Sequence, residues 1–358
     1  MKYRVWQIAA GDSGRHYDDI FLRHDVVFLG PGRFGSYCRA EYEDGPAARA
    51  ASRNVLGQVR SFAEAVRPGD LVLLRKGYKV VSIGVADGSG YQHNDVFDDV
   101  YGWDLEHTRR VKWQRQHDQE LADIQSSAVL FSERRQIPTF TRVEDPLILP
   151  RIEHLFSRTE DRPLALMPDA LPRSLTPDEL GVELFRKGLP AGAIERVKST
   201  IAERRRLIHW YSQGLSPNRP TEHEVVAHVI LPLLLALGWS EQLLAIEWRR
   251  IDLAIFNRTP TSESNCRLIC EAKAMGHGLQ DCREQAESYV ENLDLKNCGK
   301  ILLADGGRFY LYKRQASKWS AKPSGYLNIS KIRTQHLCPS GTSAIDTIME
   351  LTPAHIVD

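Results

Sequence analysis

Three residues of the chain have types and spacing suited to chemistry: Asp252, Glu271 and Lys273. Asp252 stands inside the apolar run Ile251-Asp252-Leu253-Ala254-Ile255-Phe256, and Glu271 follows Leu268-Ile269-Cys270. A carboxylate inside an apolar strand is costly unless something neutralises it. Glu271 and Lys273 are two residues apart, so a strand turns both to one face. If Asp252 lies on the neighbouring strand, three charged groups converge. Two carboxylates can hold a hard divalent cation through oxygen. Such a cation activates water and stabilises charge on a phosphate in transfer, and a lysine beside it can orient the water or offset the phosphate charge. The plain alternative is an ordinary ion pair on an exposed strand, which leaves two acids in apolar runs unexplained.

The elements that must position these groups are legible around them. Thr221 can cap a helix over Glu224 to Leu237, with Glu222 and Glu224 in its first turn and Gly238-Trp239 at its end. The spacing predicts strands over 247–256 and 267–273, joined by a polar loop to Asn265. Upstream, Pro163, Pro168, Pro172, Pro177 and Pro190 break any long helix, and Ala193 to Tyr211 then forms one. Its run Glu203-Arg204-Arg205-Arg206 reads as a solvated face, with a phosphate contact as the alternative.

Residues 1 to about 150 read as short strands and turns. Arg4-Val5-Trp6-Gln7-Ile8 alternates, Val26 to Leu29 and Leu71 to Leu74 are buried runs, and Val80 to Val85 is the hairpin partner of the latter. Ala48 to Val66 has helical spacing and stops at Pro68-Gly69. Many short strands with few helices suggest a small β-barrel. Gly30-Pro31-Gly32-Arg33-Phe34-Gly35 spells GxGxxG, yet no βαβ unit surrounds it, so a glycine-rich loop beside a ligand pocket is the better reading than a dinucleotide site.

Composition bounds the rest. The chain has 358 residues, 42% hydrophobic and 26% charged, with net charge +1, which suits a globular protein of two or three domains and gives no overall basic bias. Six cysteines without CxxC pairs argue against a zinc site and for reduced thiols in a cytoplasmic protein. The longest apolar run, Val225 to Leu237, is too short to span a bilayer, so no membrane partner is expected. There is no GxxxxGK[ST], so the chain is not expected to bind ATP.

Asp252, an intervening stretch and then Glu271-x-Lys273 resembles the motif of the PD-(D/E)xK nuclease superfamily. Thr221 to Trp239 looks like the first helix of the version found in type I restriction subunits, and Gln285 with Tyr289 matches the glutamine and tyrosine that follow its Glu-x-Lys strand. Ile301 to Tyr312 resembles its last hairpin, and Ile251 stands where the naming proline is usual. The resemblance implies a restriction-endonuclease-like mixed sheet flanked by helices. It implies catalytic roles for Asp252, Glu271, Lys273, Glu224 and Gln285. It further implies Mg²⁺ held by Asp252, Glu271 and Glu224, with Mn²⁺ as a substitute. Glu222 is the alternative helical carboxylate.

The first zone resembles the PUA-like group that includes EVE and YTH domains. The likeness runs through the Trp6 strand, Val26 to Gly30, Pro68-Gly69-Asp70-Leu71-Val72, Ile83-Gly84 with Gly90-Tyr91, and Val111-Lys112-Trp113. It implies a cage for a flipped, modified base, with Phe34, Tyr37, Tyr78, Tyr91 and Trp103 as candidates and Arg33, Lys76, Lys79, Arg109, Arg110 and Lys112 as phosphate contacts.

The expected architecture is thus a two-domain α+β or α/β chain. Residues 1–150 form a PUA-like base-recognition domain, 151–215 a Pro-rich connector and helix, 216–335 the nuclease domain and 336–358 a tail. The expected function is a modification-dependent DNA endonuclease acting on double-stranded DNA as a homodimer. A sequence-specific restriction or repair nuclease, a non-catalytic reader of modified nucleic acid and an RNA-directed function are the alternatives.

Overall fold

The computed structural model describes residues 3–12, 15–77, 79–114, 138–144, 149–156, 162–212, 220–315 and 318–356. The chain divides into two compact units, Met1–Ala170 and Leu171–Asp358, each with a mixed sheet and helices. Among the described residues no helix is long and apolar enough to cross a membrane.

The sheet of the first unit runs in the order Val26–Leu29, His107–Trp113, Lys79–His93, Leu71–Lys76, Val5–Ala9, Phe140–Val143. Val5–Ala9 pairs in parallel with Leu71–Lys76, while the expected hairpin of Leu71–Lys76 with Lys79–His93 is antiparallel. Asp70 fastens the parallel pair: its carboxylate accepts from the Arg4 amide, the Trp6 indole N–H and the Arg67 amide, each at 2.9 Å. Gly69, at φ +84°, makes the turn that lets it do so. Val5, Leu71, Leu73, Val80, Ile83 and Val143 form one apolar cluster. The pairing gives a mixed six-stranded sheet. Among the described residues no ladder joins Val26–Leu29 to Phe140–Val143.

The sheet of the second unit runs Lys318–Trp319, Arg308–Gln315, Lys300–Ala304, Cys266–Ala272, Ile251–Phe256, Leu244–Trp248, with Gly325–Asn328 also on Arg308–Gln315. Cys266–Ala272 and Lys300–Ala304 are parallel, and the helix Cys282–Asn292 lies between them in the chain. Leu253, Ile255, Leu268, Cys270 and Leu302 meet Val225, Val229 and Leu233 in one core. The stretch read as a connector contributes Leu184, Val197 and Ile201 to that core, and the stretch read as a tail contributes Ile345, Ile348 and Leu351. Periodicity was present in both stretches; the prolines and the terminal position concealed that their apolar faces cover this sheet.

Candidate functional site

Strand alternation builds the acidic site. Leu253 and Ile255, with Cys270 and Leu268, face the core, which turns Asp252 and Glu271 to the other side. Leu253 pairs with Cys270 at the end of the antiparallel ladder, and Asp252 and Glu271 are the residues that follow this pair on the two strands. Asp252 Oδ2 accepts from the Ala272 amide at 2.7 Å, which fixes that carboxylate against the Glu271 strand. Lys273 leaves the strand end, where its amide donates to the Ala304 carbonyl at 2.8 Å. Its Nζ donates to Glu271 Oε1 at 2.6 Å.

The fourth member comes from the helix. Thr221 and Glu224 form a capping box: the Glu224 amide donates to Thr221 Oγ1 at 3.2 Å, and Glu224 Oε2 accepts from the Thr221 amide at 2.8 Å. Those N–H and O–H donors hold the exposed Glu224 carboxylate below its usual range. Glu222, two residues earlier and so on another side of the helix, has Oε1 3.7 Å from Lys273 Nζ. Of the two helical glutamates, the structure brings Glu222, the alternative, to Lys273 and commits Glu224, the first choice, to the helix cap. The spacing Thr221-x-x-Glu224 is itself the capping-box signature and could have told the two apart.

Burial is the leading influence on both strand acids. It pushes Glu271 up, against the bond and charge of Lys273. It pushes Asp252 up as well, against the Ala272 N–H and Lys273, while Glu222 and Glu247 add to the rise. Burial alone would lower Lys273, but Glu271 and Glu222 outweigh it and raise the ammonium. The lysine stays charged, and one positive group faces Asp252, Glu271 and Glu222.

That excess of negative charge and the all-oxygen donor set fit a hard divalent cation. Among the described residues no three histidine, cysteine or acidic side chains are grouped so that they could hold an ion by themselves. Mg²⁺ needs no such cage, since it keeps several waters and takes one or two carboxylates plus substrate phosphate. Asp252 and Glu271 are the two that would hold it.

Gln285 is not brought into this group. It is exposed on the helix Cys282–Asn292, and its Nε2 donates to Tyr289 Oη at 3.0 Å, one turn on. The helix end that feels the site is Cys282, whose thiol is pushed up by burial while Lys273 opposes and Glu271 adds. Sequence reasoning missed a further pair. Asp305 accepts from the Gly276, Gly307 and Arg308 amides, and buried Arg308 donates to Asp305 and to the His277 carbonyl, so the loop after Lys273 is tied to the next hairpin.

The first unit has its own cavity, of about 350 Å³, walled by Tyr17, Phe28, Trp103 and Leu105, with Gly30, Pro31, Arg33, Asp104 and Thr139 on its rim and sides. That volume falls in the range of small-molecule sites. Of the expected cage, Trp103 lines it; Phe34, Tyr37 and Tyr91 do not. Phe34 lies under the Arg33 guanidinium, 4.8 Å from ring to Cζ. Tyr91 Oη accepts from the Tyr37 amide at 2.7 Å and sits 2.8 Å from His107 Nδ1. His107 Nε2 lies 2.8 Å from Tyr42 Oη and 2.9 Å from the Pro31 carbonyl. These side chains brace the Gly30–Gly35 loop from behind. Tyr78 lies outside the described residues.

Two expected phosphate contacts are corrected. Arg109 is buried and donates to the Phe62 and Ala63 carbonyls, and Arg110 donates to those of Asp25 and Ala165. Each guanidinium thus commits its Nε and one Nη to backbone oxygens, and Arg109 is buried as well. Arg33 is exposed and pairs with Asp104 at 3.1 Å on the cavity rim, Lys76 pairs with Asp18 at 3.4 Å, and Lys112 is half-buried.

A family model described as a domain of unknown function, DUF8426, matches residues 6–134. No curated protein and no solved structure matches the chain. The cavity walls from Ala9 to Leu105 fall inside the matched stretch, and Asp252, Glu271 and Lys273 fall outside it.

Proposed function

We propose that the chain is a modification-dependent DNA endonuclease that hydrolyses phosphodiester bonds in double-stranded DNA with Mg²⁺, Mn²⁺ serving as a substitute. The observation that carries this is the cluster at a strand end in which Glu271 and Glu222 approach one charged lysine, Lys273, and Asp252 is bonded to the neighbouring Ala272 amide within reach of its charge. When bound, the cation supplies Lewis acidity to a phosphate oxygen and lowers the pKa of water. Asp252, steadied by the Ala272 amide, and Glu271 hold the oxygen donors in place. Lys273 keeps its proton, so it can orient a water by donation and offset charge growing on the phosphate. Its bond to Glu271 fixes that ammonium before substrate arrives.

The first unit acts as the reader of the altered base. Trp103, with Tyr17 and Phe28, gives the cavity an aromatic lining against which a base could stack. Asp104, an acceptor when ionised, reads an N–H on the base edge. A flipped base reaches such a cavity because altered or mismatched bases unstack at lower cost. One acidic cluster cuts one strand, so a double-strand break calls for a homodimer.

The test is incubation of the purified chain with Mg²⁺ and a panel of duplexes carrying different cytosine and adenine modifications. Cleavage of one or more modified duplexes, with the unmodified duplex left intact, supports the reading. Equal cleavage of the unmodified duplex at a defined sequence removes the modification requirement.

A further inference from the structure

Leu244–Trp248 and Ile251–Phe256 form a tight hairpin in which Trp248 pairs with Ile251, leaving Arg249 and Arg250 as its two turn residues. Both have left-handed backbone, φ 52° and 72°, as two-residue hairpin turns of the mirror-image type require. Such turns strongly favour Asn-Gly, because a Cβ is unfavourable at φ > 0. Two arginines here work against local stability, and strained backbone of this kind gathers where function holds it.

The surroundings point to the function. Both arginines are exposed. Among the described residues Arg250 forms no ion pair, and Arg249 pairs with half-exposed Glu263 at 2.6 Å, an exchangeable surface contact. Asp252 lies two residues past Arg250, within about 7 Å along extended backbone. The acids around it, Glu247, Glu222 and Glu271, would repel an approaching polyanion. Cations at the hairpin tip offset that repulsion where the strand must pass.

We infer that the Arg249–Arg250 turn is a phosphodiester clamp that grips the DNA backbone beside Asp252. The inference rests on the nuclease reading for its choice of DNA, but binding can be tested apart from cleavage. Arginine suits the role because its planar fork meets phosphate oxygens two at a time.

The experiment is fluorescence anisotropy of a labelled duplex with the full chain, across a salt series and without divalent metal. It compares wild type with two double variants, Arg249→Asn with Arg250→Gly, and Arg249→Lys with Arg250→Lys. The Asn-Gly variant is expected to melt higher, by about 3 °C, and to bind more weakly, by about tenfold. Its log–log salt slope should be shallower by about 1.8, two phosphate contacts' worth. The Lys-Lys variant should keep most of the slope. Unchanged affinity and slope in the Asn-Gly variant overturn the clamp, even if the enzyme cleaves. Duplex RNA competing as well as duplex DNA overturns the choice of DNA. Salt-dependent binding that the Asn-Gly variant weakens, with no cleavage by any form, leaves the clamp standing and removes the nuclease.

Discussion

Glu224 is held by Thr221, and that single reciprocal contact separates two glutamates that look equivalent in the sequence. Thr221 Oγ1 and its amide engage Glu224 at one side of the helix start, while Glu222 comes within 3.7 Å of Lys273 Nζ at another. The helix therefore lends one acid to its own terminus and the other to the charged cluster.

Glu222 and Glu224 should separate in mutagenesis. Glu222→Gln is expected to lower the cleavage rate by about tenfold or more, since it removes a charge from the cluster. Glu224→Ala should leave the rate unchanged and lower the melting temperature by loosening the cap. Thr221→Ala should behave like Glu224→Ala, at a cost of about 1 kcal/mol. Rates and thermal melts on the same preparations check both.

The cavity predicts a split between recognition and chemistry. Trp103→Ala removes a stacking face worth about 1–3 kcal/mol. It should erase the preference for modified duplex while leaving cleavage of a short oligonucleotide at saturating concentration unaltered. Tyr37→Phe should change neither, because the Tyr37 hydroxyl donates to Glu64 and does not line the cavity.

His107 should give the first unit an acid-sensitive stability. Burial drives it down from 6.5 to about 4, as a neutral ring between two tyrosines and the Pro31 carbonyl. Between those values the unfolded chain holds the proton and the folded chain does not, so stability falls as pH drops from 6.5 towards 4. The full loss is about 3 kcal/mol. Denaturant midpoints measured from pH 7 to pH 4 should show this fall in wild type and a smaller one in His107→Asn.

Asp25 gives the opposite residue type and the same direction. Burial would raise it, but Arg162 and the Ala165 and Trp113 amides outweigh that and hold it below the usual carboxylate range. Its contribution is present above the unfolded-state pKa and is lost as pH falls through the lower folded value. Arg162→Met should cost about 2–3 kcal/mol, short of the full price of orphaning a buried charge because Arg162 keeps part of its surface in water. Chemical denaturation at pH 7 reads this directly.

Much of this was legible in the residues. Apolar runs interrupted by Asp252 and Glu271 located the strands and the face that the acids share, because strand alternation is a local rule. Leu71–Lys76 and Lys79–His93 announced their hairpin through Gly77. What failed was decided by tertiary neighbours. Arg109 and Arg110 look like surface cations in a polar strand, and only the packed sheet shows the carbonyls they satisfy. Tyr91 beside a glycine turn looks like a pocket wall, and only His107, sixteen residues on, shows that it braces the loop instead. Phe28 reads as core and is core, yet it also lines the cavity.

The most direct measurement of the central claim is Mg²⁺-dependent cleavage of modified duplex DNA by wild type, Asp252→Asn and Lys273→Ala, with folding of each checked by its melting temperature. The account predicts cleavage by wild type that stops on chelation and falls by at least about a hundredfold in both folded variants. Wild-type cleavage that persists without metal, or Lys273→Ala cutting at the wild-type rate, contradicts it.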